Sequence, residues 1–566
     1  MDPRKTSPVR VGASWGEKPG VKAAGAGLFA LAGLVLALAG TWKNSATVDE
    51  YAHLPAGVYY WRTGDFSLYD LNPPLARLMA AAPVMPMNPK LDLTPEIVRG
   101  LKMDPWGAGN VFFHRNAERY DRMLLRGRLA NVVCGAVLAG VVCLWSWRLF
   151  GWAGGVVSGA ASAFSPDLLA HAGLATPDVP LTLFWTLTGF AAWETAYRPR
   201  WGWTGACGIF LGLALLTKYN ALILAGVLPL TMMAAGRLSG NEESGTGTGA
   251  GWKWRPLGHG LVAVGLALVL VGAFYGYEGF LRPPGDAAES RTLKAVSWVP
   301  MPLPTAYVQG LDKQLAVVEK GEGESYLNGE TYRGSRWYYY PEAFLLKEPG
   351  PTLGLMTLAV AAGWVLLRSP GPAFAVLAVP AAVFLVVNMF LGNLNIGLRY
   401  VLPVFPAIFI GLGAAVCPGR WFRARLAAAG ALVLALAVVV TANCPHYISY
   451  FNRIAGGREG GPRYLLDSNI DWGQDLKRLA EFLHERGVES VKLAYFGYVP
   501  LEHYGIKVEQ GAPTPETKGW VAVSVQYLYR MSGGGSADDC AWLREREPAA
   551  RIGGSIYVYH LERRER

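Results

Sequence analysis

Runs of about twenty apolar residues recur along this chain of 566 residues. An α-helix needs a run of that length, ~20 residues, to cross the hydrocarbon core of a bilayer. The pattern therefore predicts a polytopic α-helical membrane protein with about eleven transmembrane helices. The expected spans are residues 23–41, 128–149, 152–173, 178–197, 202–218, 219–237, 258–280, 350–367, 371–392, 396–416 and 424–441.

The composition excludes several other classes of protein. Hydrophobic residues make up 52% of the chain and charged residues 17%, whereas average globular usage is ~25% charged. A soluble chain this long would need several domains with charged surfaces, and a disordered or disulfide-rich chain would have a different composition. The six cysteines include no CxxC pair, so neither a zinc cluster nor a disulfide framework is predicted.

Lysine and arginine predict the orientation in the membrane. The N-terminal tail is basic, and so is every second connection between the expected spans. Because basic loops favour the cytoplasmic side, we expect a multi-pass protein of the cell inner (plasma) membrane with its N-terminus cytoplasmic and its C-terminal domain extracytoplasmic. The basic residues are Arg4, Lys5, Arg10, Lys18 and Lys22 in the tail, and Arg148, Arg198, Arg200, Arg237, Lys253, Arg255, Arg368, Arg420, Arg423 and Arg425 in the connections.

The net charge of +10 belongs to the membrane part of the chain. Residues 442–566 hold 16 basic and 16 acidic side chains, so they contribute none of the excess. A basic membrane part suits anionic lipid head groups, and we expect the membrane, not nucleic acid, as its partner.

The chain divides into three expected units, with shorter features inside them. A cytoplasmic tail precedes a transmembrane module with two large outer loops, and a soluble extracytoplasmic α/β domain follows. The segment 73–85 is too short to span and predicts an interfacial helix. A Gly/Ser-rich stretch predicts a flexible cytoplasmic loop. The units are the tail 1–22, the module 23–441 with loops 42–127 and 281–349, and the domain 442–566, and the flexible loop is Gly240–Gly251.

In the C-terminal domain, residues 471–486 carry apolar side chains on one helical face and predict a helix. Residues 491–496, 520–528 and 556–560 predict strands.

Six ionisable residues fall at the outer ends of the expected spans, where charges are costly and often functional. The acids could hold or deprotonate an acceptor hydroxyl, and the bases could hold a lipid-linked phosphate. Alternatively, the bases snorkel to the interface, and the first two acids cap a helix start. The acids are Asp49, Glu50 and Asp178, and the bases are Lys218, Lys347 and Arg399.

Several short motifs contain these charged residues or lie near them in the chain. They are TVDEYAH (47–53), NPPLAR (72–77), LATPDVPL (174–181), LTKY (216–219), YLNGE (326–330), GLRYVLP (397–403) and LDSNIDWGQD (466–475). Together they resemble the C superfamily of glycosyltransferases, in the branch of the dolichyl-phosphate-mannose–protein mannosyltransferases and their bacterial relatives (glycosyltransferase family 39). Asn72 and Arg77 stand where the eukaryotic enzymes have His and Lys, and the loop 281–349 is too short for their trefoil-type domain.

The resemblance implies a membrane glycosyltransferase that moves a hexose such as mannose from a polyprenyl-phosphate donor to a hydroxyl acceptor, with inversion. The acceptor could be a protein, a lipid (as in the lipid A aminoarabinose transferases) or a glycan. The implied general base is Asp49, assisted by Glu50 and Asp178, and no cofactor is expected, although a divalent cation is possible. The implied substrate-binding residues are Lys218, Arg399, Arg77, Lys347, Tyr51 and His53.

Other interpretations of the sequence are open. The chain could be a transporter or flippase of a lipid-linked sugar, although such proteins show repeats and midplane charges, or a scaffold with a sensory outer domain. Asp467, Asp471 and Asp475 recur every four residues and could form a metal-binding face, but helix capping is the simpler explanation. His53 and His171 could contact a ligand or only polar neighbours. The aromatic residues at 337–340 could stack on a sugar or belong to an interfacial belt.

Overall fold

The computed structural model describes residues 18–238, 254–321, 323–363, 371–417, 419, 421–529 and 540–562. Residues 1–17 of the predicted tail, the predicted loop Gly240–Gly251 and the basic residues Lys253, Arg368 and Arg420 lie outside these ranges.

The described residues are mostly helical. The helices are α1 (Pro19–Thr41), α2 (Val48–Thr63), α3 (Leu75–Ala81), α4 (Pro95–Gly100), α5 (Pro105–Asn116), α6 (Tyr120–Ala163), α7 (Pro166–Ala172), α8 (Asp178–Tyr197), α9 (Trp201–Leu215), α10 (Ala221–Leu238), α11 (Arg255–Phe274), α12 (Arg291–Lys294), α13 (Thr305–Lys320), α14 (Tyr339–Lys347), α15 (Gly350–Gly363), α16 (Pro372–Phe390), α17 (Phe405–Leu412), α18 (Phe422–Ala442), α19 (Gly457–Gly460), α20 (Leu476–Glu485) and α21 (Val525–Leu528). The strands are β1 (Glu324–Leu327), β2 (Glu330–Arg333), β3 (Lys492–Ala494), β4 (Gly519–Ser524), β5 (Ala550–Ile552) and β6 (Ile556–Leu561).

The predicted class, a polytopic helical membrane protein with a small α/β domain, is confirmed. Seven helical segments of the described chain are long and apolar enough to cross a membrane. They are Pro19–Thr41, Pro105–Ala163, Ala221–Leu238, Arg255–Phe274, Pro372–Phe390, Leu398–Val416 and Phe422–Ala442. Two shorter apolar helices, Trp201–Leu215 and Gly350–Ala362, accompany them.

Two predicted spans are built differently from a single straight helix. The expected span 152–173 is interrupted: α6 kinks at Gly151, which has a φ of 77°, and α7 begins after a break, with Pro166 at its first position. The expected span 396–416 opens with a 3₁₀ segment, Leu398–Val404, because Pro403 lacks the amide that an α-helix needs there.

The predicted interfacial segment 73–85 is helical only over α3, which packs closely against α2. A Cβ atom on Gly57 of α2 would lie 2.1 Å from the backbone oxygen of Arg77, so glycine permits this approach. Arg77 itself is buried. This packing, and not free placement on a lipid surface, determines where α3 lies.

The C-terminal domain contains a four-stranded sheet in the order β3-β4-β6-β5. Strands β3 and β4 are parallel, and β6 is antiparallel to both of its neighbours. The predicted strand 520–528 ends at Ser524, after which the chain turns into α21, and β5 was not predicted. Helix α20 begins at Leu476, later than predicted, because residues 471–475 turn toward the membrane module.

The C-terminal domain does not stand apart from the membrane module. Apolar residues of α20, β4 and β6 form one buried cluster with α2, α5 and the start of α6. Lys477 lies 2.8 Å from Asp121, and the Tyr504 hydroxyl donates to the same carboxylate at 2.8 Å. The chain after α18 is also buried against the module, so the expected boundary near 442 is not a free linker.

Candidate active site

Four charged side chains meet at one end of the helices, beside the C-terminal domain. The Arg399 guanidinium donates to Asp49 Oδ2 at 2.6 Å and lies 3.9 Å from Asp178 Oδ2. The Lys218 ammonium donates to Asp178 Oδ1 at 2.8 Å. We call these four residues the charge cluster. The structure thus brings together four of the predicted site residues, each from a different motif.

The members of the charge cluster lie at helix ends or in the turns between helices. Asp49 lies in the first turn of α2 and Asp178 is the first residue of α8, where the helix dipole favours negative charge. Lys218 occupies the turn between α9 and α10, and Arg399 lies in the 3₁₀ segment that follows Gly397. Their placement at termini keeps their charged groups at one face of the helical module.

The C-terminal segment holds Arg399 in place. Trp472 lies under the guanidinium, 4.1 Å from ring centroid to Cζ. Asn469 accepts from the Leu398 amide at 3.2 Å, and a Cβ atom on Gly397 would lie 2.2 Å from Ser468 Oγ. The motif at 466–475 therefore positions the arginine of another motif some seventy residues earlier.

The charge cluster is only partly satisfied internally. Asp178 Oδ2 and Arg399 Nε are buried without a hydrogen-bond partner. Side-chain exposure rises from 1% for Asp178 to 8% for Arg399 and 18% for Asp49. Asp49 is thus the accessible carboxylate, and Asp178 is the one that holds the two cations.

Glu50 points away from the charge cluster although it follows Asp49 directly. Its carboxylate receives two 2.7 Å bonds from Arg128. It also accepts from the Ala175 amide at 2.9 Å and from the Thr47 amide at 3.0 Å. With an exposed fraction of 0%, the Glu50 carboxylate is closed to solvent, and the structure separates it from the charge cluster.

Lys347 is likewise separated from the charge cluster. Its ammonium donates to the backbone oxygens of Ile448 at 2.8 Å and Asn469 at 2.6 Å, and it lies 3.6 Å from Asp167. Burial lowers the pKa of Lys347 and raises the pKa of the adjacent Glu348. This arrangement ties Lys347 to the chain after α18, and none of these three partners is a member of the charge cluster.

Arg77 and His53 form a layer next to the charge cluster. Arg77 Nε donates to His53 Nδ1 at 2.9 Å, and both rest on the Tyr69 ring. Burial and then the Arg77 cation lower the pKa of His53 well below its usual range, so the ring is neutral and can accept this bond. Arg77 Nη2 is buried without a partner. Of the two, Arg77 retains an unused donor.

Tyr51 and the outer aromatic residues lie elsewhere. Tyr51 stacks on Tyr498 of the C-terminal domain at 5.8 Å and belongs to the shared apolar cluster. Its role in the structure is packing, away from the charge cluster. Trp337 and Tyr338 are exposed, whereas Tyr339 and Tyr340 are buried.

The three aspartates of 466–475 do not share a face. Burial raises the pKa of Asp467 to about 6 and of Asp471 to about 8. Asp475 precedes α20, but its carboxylate bonds Arg478 at 2.5 Å and Ser555 at 2.6 Å instead of the helix amides, so the expected capping is not made by the side chain. In the part of the chain that the structure describes, no group of three or more His, Cys, Asp or Glu could hold a metal ion.

A cavity of about 470 Å³ opens beside the Lys218 turn. Its aromatic lining includes Phe66, Tyr219, Phe274 and Tyr275. The loop that forms one wall is held by Arg77, which donates to the backbone oxygens of Tyr69 and Asn72 at 2.9 Å each.

Sequence reasoning missed two contributors to the site. Trp472 was noticed only as part of a motif, because no linear pattern shows that it lies under Arg399. Arg128 was counted inside a span, yet a basic residue at the start of an apolar run is a signal for a buried acidic partner.

Comparison with known proteins supports the sequence resemblance. Residues 123–239, which include Asp178 and Lys218, match the family described as Dolichyl-phosphate-mannose-protein mannosyltransferase. The predicted resemblance to this kind of glycosyltransferase is confirmed. No protein of curated function matches the sequence significantly.

Two solved structures match most of this chain at low sequence identity. ArnT from Cupriavidus metallidurans bound to undecaprenyl phosphate shares 14% identity at a TM-score of 0.47, with 94% of this chain and 97% of that chain covered. AglB from Archaeoglobus fulgidus, in complex with an inhibitory peptide and a dolichol-phosphate, shares 11% identity at a TM-score of 0.48, with 91% of this chain and 71% of that chain covered.

Proposed function

We propose that this protein transfers a monosaccharide from a polyprenyl-phosphate donor to a hydroxyl acceptor at the extracytoplasmic face of the membrane. The observation that carries the proposal is the charge cluster. It presents one accessible carboxylate, Asp49, next to two cations that a second carboxylate, Asp178, holds in place.

In the proposed reaction Asp49 is the general base. Arg399 bonds Oδ2 of Asp49, so we assign Oδ1 to the acceptor hydroxyl. As the acceptor oxygen attacks the anomeric carbon, its proton passes to Asp49, and the bond from that carbon to the phosphate oxygen breaks. The electron pair leaves with the polyprenyl phosphate. One displacement without a glycosyl-enzyme inverts the anomeric configuration.

Lys218 and Arg399 supply the positive charge that the leaving phosphate needs. Both lie within 4 Å of Asp178, which holds them side by side before substrate arrives. Preorganised cations act most strongly where charge develops in the transition state. The unpaired Nε of Arg399 is a donor ready for a phosphate oxygen.

The supporting residues take revised roles in this proposal. Glu50 fixes the start of α2 through Arg128, and Lys347 fixes the C-terminal segment. Arg77 holds the wall of the aromatic cavity, which we assign to the donor side of the site. Asp49 and Asp178 already face cations of the protein, so we expect transfer to proceed without an added divalent ion.

The proposal is tested by transfer assays on the full-length protein in lipid nanodiscs. Polyprenyl-phosphate hexoses serve as donors and membrane extract of the host supplies acceptors, with mass spectrometry of the products. Asp49→Asn should lower the rate about 10²–10⁴-fold, because it removes the base. The matched control is Asp92→Asn, which changes an exposed acid of the same loop.

The wild type should release polyprenyl phosphate and the Asp49→Asn protein should still bind donor. An Asp49→Asn protein as active as the wild type would contradict the assignment of the base. Labelled donor that crosses a vesicle bilayer without being cleaved would favour the transporter alternative instead. The mass of the product identifies the sugar and the class of acceptor.

A further inference from the structure

A second cavity, distant in sequence from the charge cluster, is lined by five arginines. Its volume is about 490 Å³, which falls in the range of small-molecule sites, ~300–1,000 Å³. We call it the arginine cavity. Its basic residues are Arg453, Arg463, Arg544, Arg546 and Arg551.

Separate elements contribute these arginines to one concave surface. Arg453 and Arg463 lie on the segment that follows α18, and Arg551 lies on β5. Arg544 and Arg546 follow the short helical turn Ala541–Leu543. Convergence of residues from three parts of the domain is the pattern of a binding site, not of one charged helix face.

Among its described lining residues, the arginine cavity has five arginines and one acid. Glu459 is the acid among its described lining residues, and it lies 3.3 Å from Arg551. Arg544 donates to the Leu528 backbone oxygen at 2.6 Å. The domain as a whole carries 16 basic and 16 acidic residues, so this excess is a local concentration. Like charges that line one cavity repel one another, and a bound anion relieves that repulsion.

The chemistry of the lining favours a phosphorylated saccharide. Arginine presents a planar fork of donors that matches phosphate oxygens. Two half-buried tyrosines, Tyr464 and Tyr529, also line the cavity, and Arg544 Cζ lies 5.4 Å from the centroid of the Tyr529 ring. Such rings offer an apolar face and a hydroxyl to a sugar ring.

Part of the arginine cavity lies on the segment that follows α18, the last expected span. Arg453 comes eleven residues after Ala442, where α18 ends, and the neighbouring Ile454 is 58% exposed. Tyr464 of the lining is three residues before Asp467, whose segment positions Arg399. The cavity can therefore receive a head group from the bilayer or a free solute.

We propose that the arginine cavity binds a polyanionic ligand that carries phosphate groups on a sugar-like ring. The proposal concerns binding alone, so it does not depend on the transfer reaction. The phosphorylated ring could belong to a lipid or to a soluble molecule, and the two sources are separated by experiment.

The test uses one head group in two forms on the full-length protein in phosphatidylcholine nanodiscs. Inositol 1,4,5-trisphosphate is titrated as the free form, and phosphatidylinositol 4,5-bisphosphate is incorporated into the nanodisc as the lipid form. The decisive variant combines Arg463→Gln and Arg546→Gln. The matched control combines Arg333→Gln and Arg486→Gln, because both residues are exposed and lie outside the cavity.

We expect the wild type to bind at least one form, with affinity that falls as salt is raised. The decisive variant should lose about tenfold or more in affinity, whereas the control should change by less than about twofold. Binding of both forms indicates a soluble ligand that needs no membrane, and binding of the lipid form alone indicates a lipid head group.

Three results would overturn the proposal. The first is that neither form binds the wild type. The second is that the decisive variant binds as tightly as the control. The third is that Arg399→Gln abolishes binding while the decisive variant does not. The last result would place the anion at the charge cluster. If the double variant fails to fold by circular dichroism, Arg546→Gln alone replaces it, and an unchanged affinity in that variant counts against the proposal.

Discussion

Asp49 and Glu50 are adjacent in the chain, yet their carboxylates lie in two electrostatic environments. Glu50 and Arg128 form a buried ion pair with exposed fractions of 0% and 2%, and other bonds surround it. Asp49 is 18% exposed and faces Arg399, whose Nε has no partner. Both regions contain an arginine bound to a carboxylate, but only one retains unused hydrogen-bonding capacity.

An arginine–carboxylate pair can therefore stabilise a fold or supply chemistry, depending on how many of its hydrogen-bonding atoms are already in use. Arg128 also donates to the backbone oxygens of Thr41, Asn44 and Ser45, so it joins the end of α1 to the start of α2. Such a pair leaves nothing for a ligand. The charge cluster is held by fewer bonds, which leaves its atoms available to a substrate.

The largest effect is expected from breaking the buried ion pair. Arg128→Met leaves the Glu50 carboxylate buried without its cation, which costs about 3–5 kcal/mol of unfolding free energy. Thermal unfolding of the purified protein in detergent measures this loss. Adding Glu50→Leu should restore part of the stability, because two apolar residues replace the pair. A single variant as stable as the wild type would remove the structural role assigned to the pair.

An arginine-to-methionine substitution in the charge cluster should affect the transfer rate more than the stability. Arg399→Met removes a cation from the leaving phosphate and should lower the transfer rate about 10²–10³-fold. Its stability should change less than that of Arg128→Met, since Arg399 bonds fewer groups. Rates in nanodiscs and unfolding temperatures, measured on both variants, test the contrast. Equal losses of transfer rate in Arg128→Met and Arg399→Met would contradict the distinction between a structural and a catalytic ion pair.

A third expectation concerns pH and Asp471, a buried carboxyl in the segment that supports Arg399. Its folded pKa of about 8 lies above its ordinary value, so the folded state binds more protons than the unfolded state between about pH 4 and 8. Stability should therefore fall as pH rises through that window, by up to about 1.4 kcal/mol per pH unit from this group.

Asp471→Asn stays neutral and should lose that contribution to the slope. Unfolding temperatures at pH 5, 6, 7 and 8 compare it with the wild type, and Asp92→Asn, an exposed substitution, serves as control. Parallel curves for the wild type and Asp471→Asn would refute the assignment of a neutral buried carboxyl.

The smallest effect is expected at the start of α2. The Thr47 hydroxyl donates to Glu50 at 3.1 Å, so Thr47→Ala removes one bond from the buried ion pair. The expected loss is about 1–2 kcal/mol of stability, with little change in rate. Thr47→Ser, which keeps the hydroxyl, should retain most of the stability. A large loss of transfer rate in Thr47→Ala, beside a small loss of stability, would show that the buried ion pair also affects the charge cluster.

The sequence predicted the membrane class and most helices, because apolar length is a local signal that tertiary packing seldom reverses. It also predicted that Asp178, Lys218 and Arg399 lie near one another, since all three stand at span ends on the same expected side. It could not separate Asp49 from Glu50. One residue of a helix rotates the side chain by about 100°, and only the position of Arg128 decides which carboxylate is buried.

The role of the C-terminal segment was also beyond the sequence. The aspartates at 467, 471 and 475 suggested a metal-binding face or helix capping, and the apolar face of 471–486 predicted a helix from residue 471. The chain is irregular up to Leu476, and Trp472 lies under Arg399 while its backbone oxygen accepts from the Val48 amide. Contacts between residues far apart in the chain produce no periodic pattern of residue types in the sequence. The contacts of Lys347 were equally beyond the sequence, since its ammonium donates to the backbone oxygens of Ile448 and Asn469.

The contact between Arg399 and Trp472 also has a consequence for biogenesis. The helices that carry Asp49, Asp178, Lys218 and Arg399 are all synthesised before the residue that supports the arginine. In the proposed topology, residue 472 must then cross the membrane before it can dock. A newly inserted chain therefore has the four charged residues in place before Arg399 has its support, and the proposed sugar transfer would begin only after residue 472 has been exported and has docked.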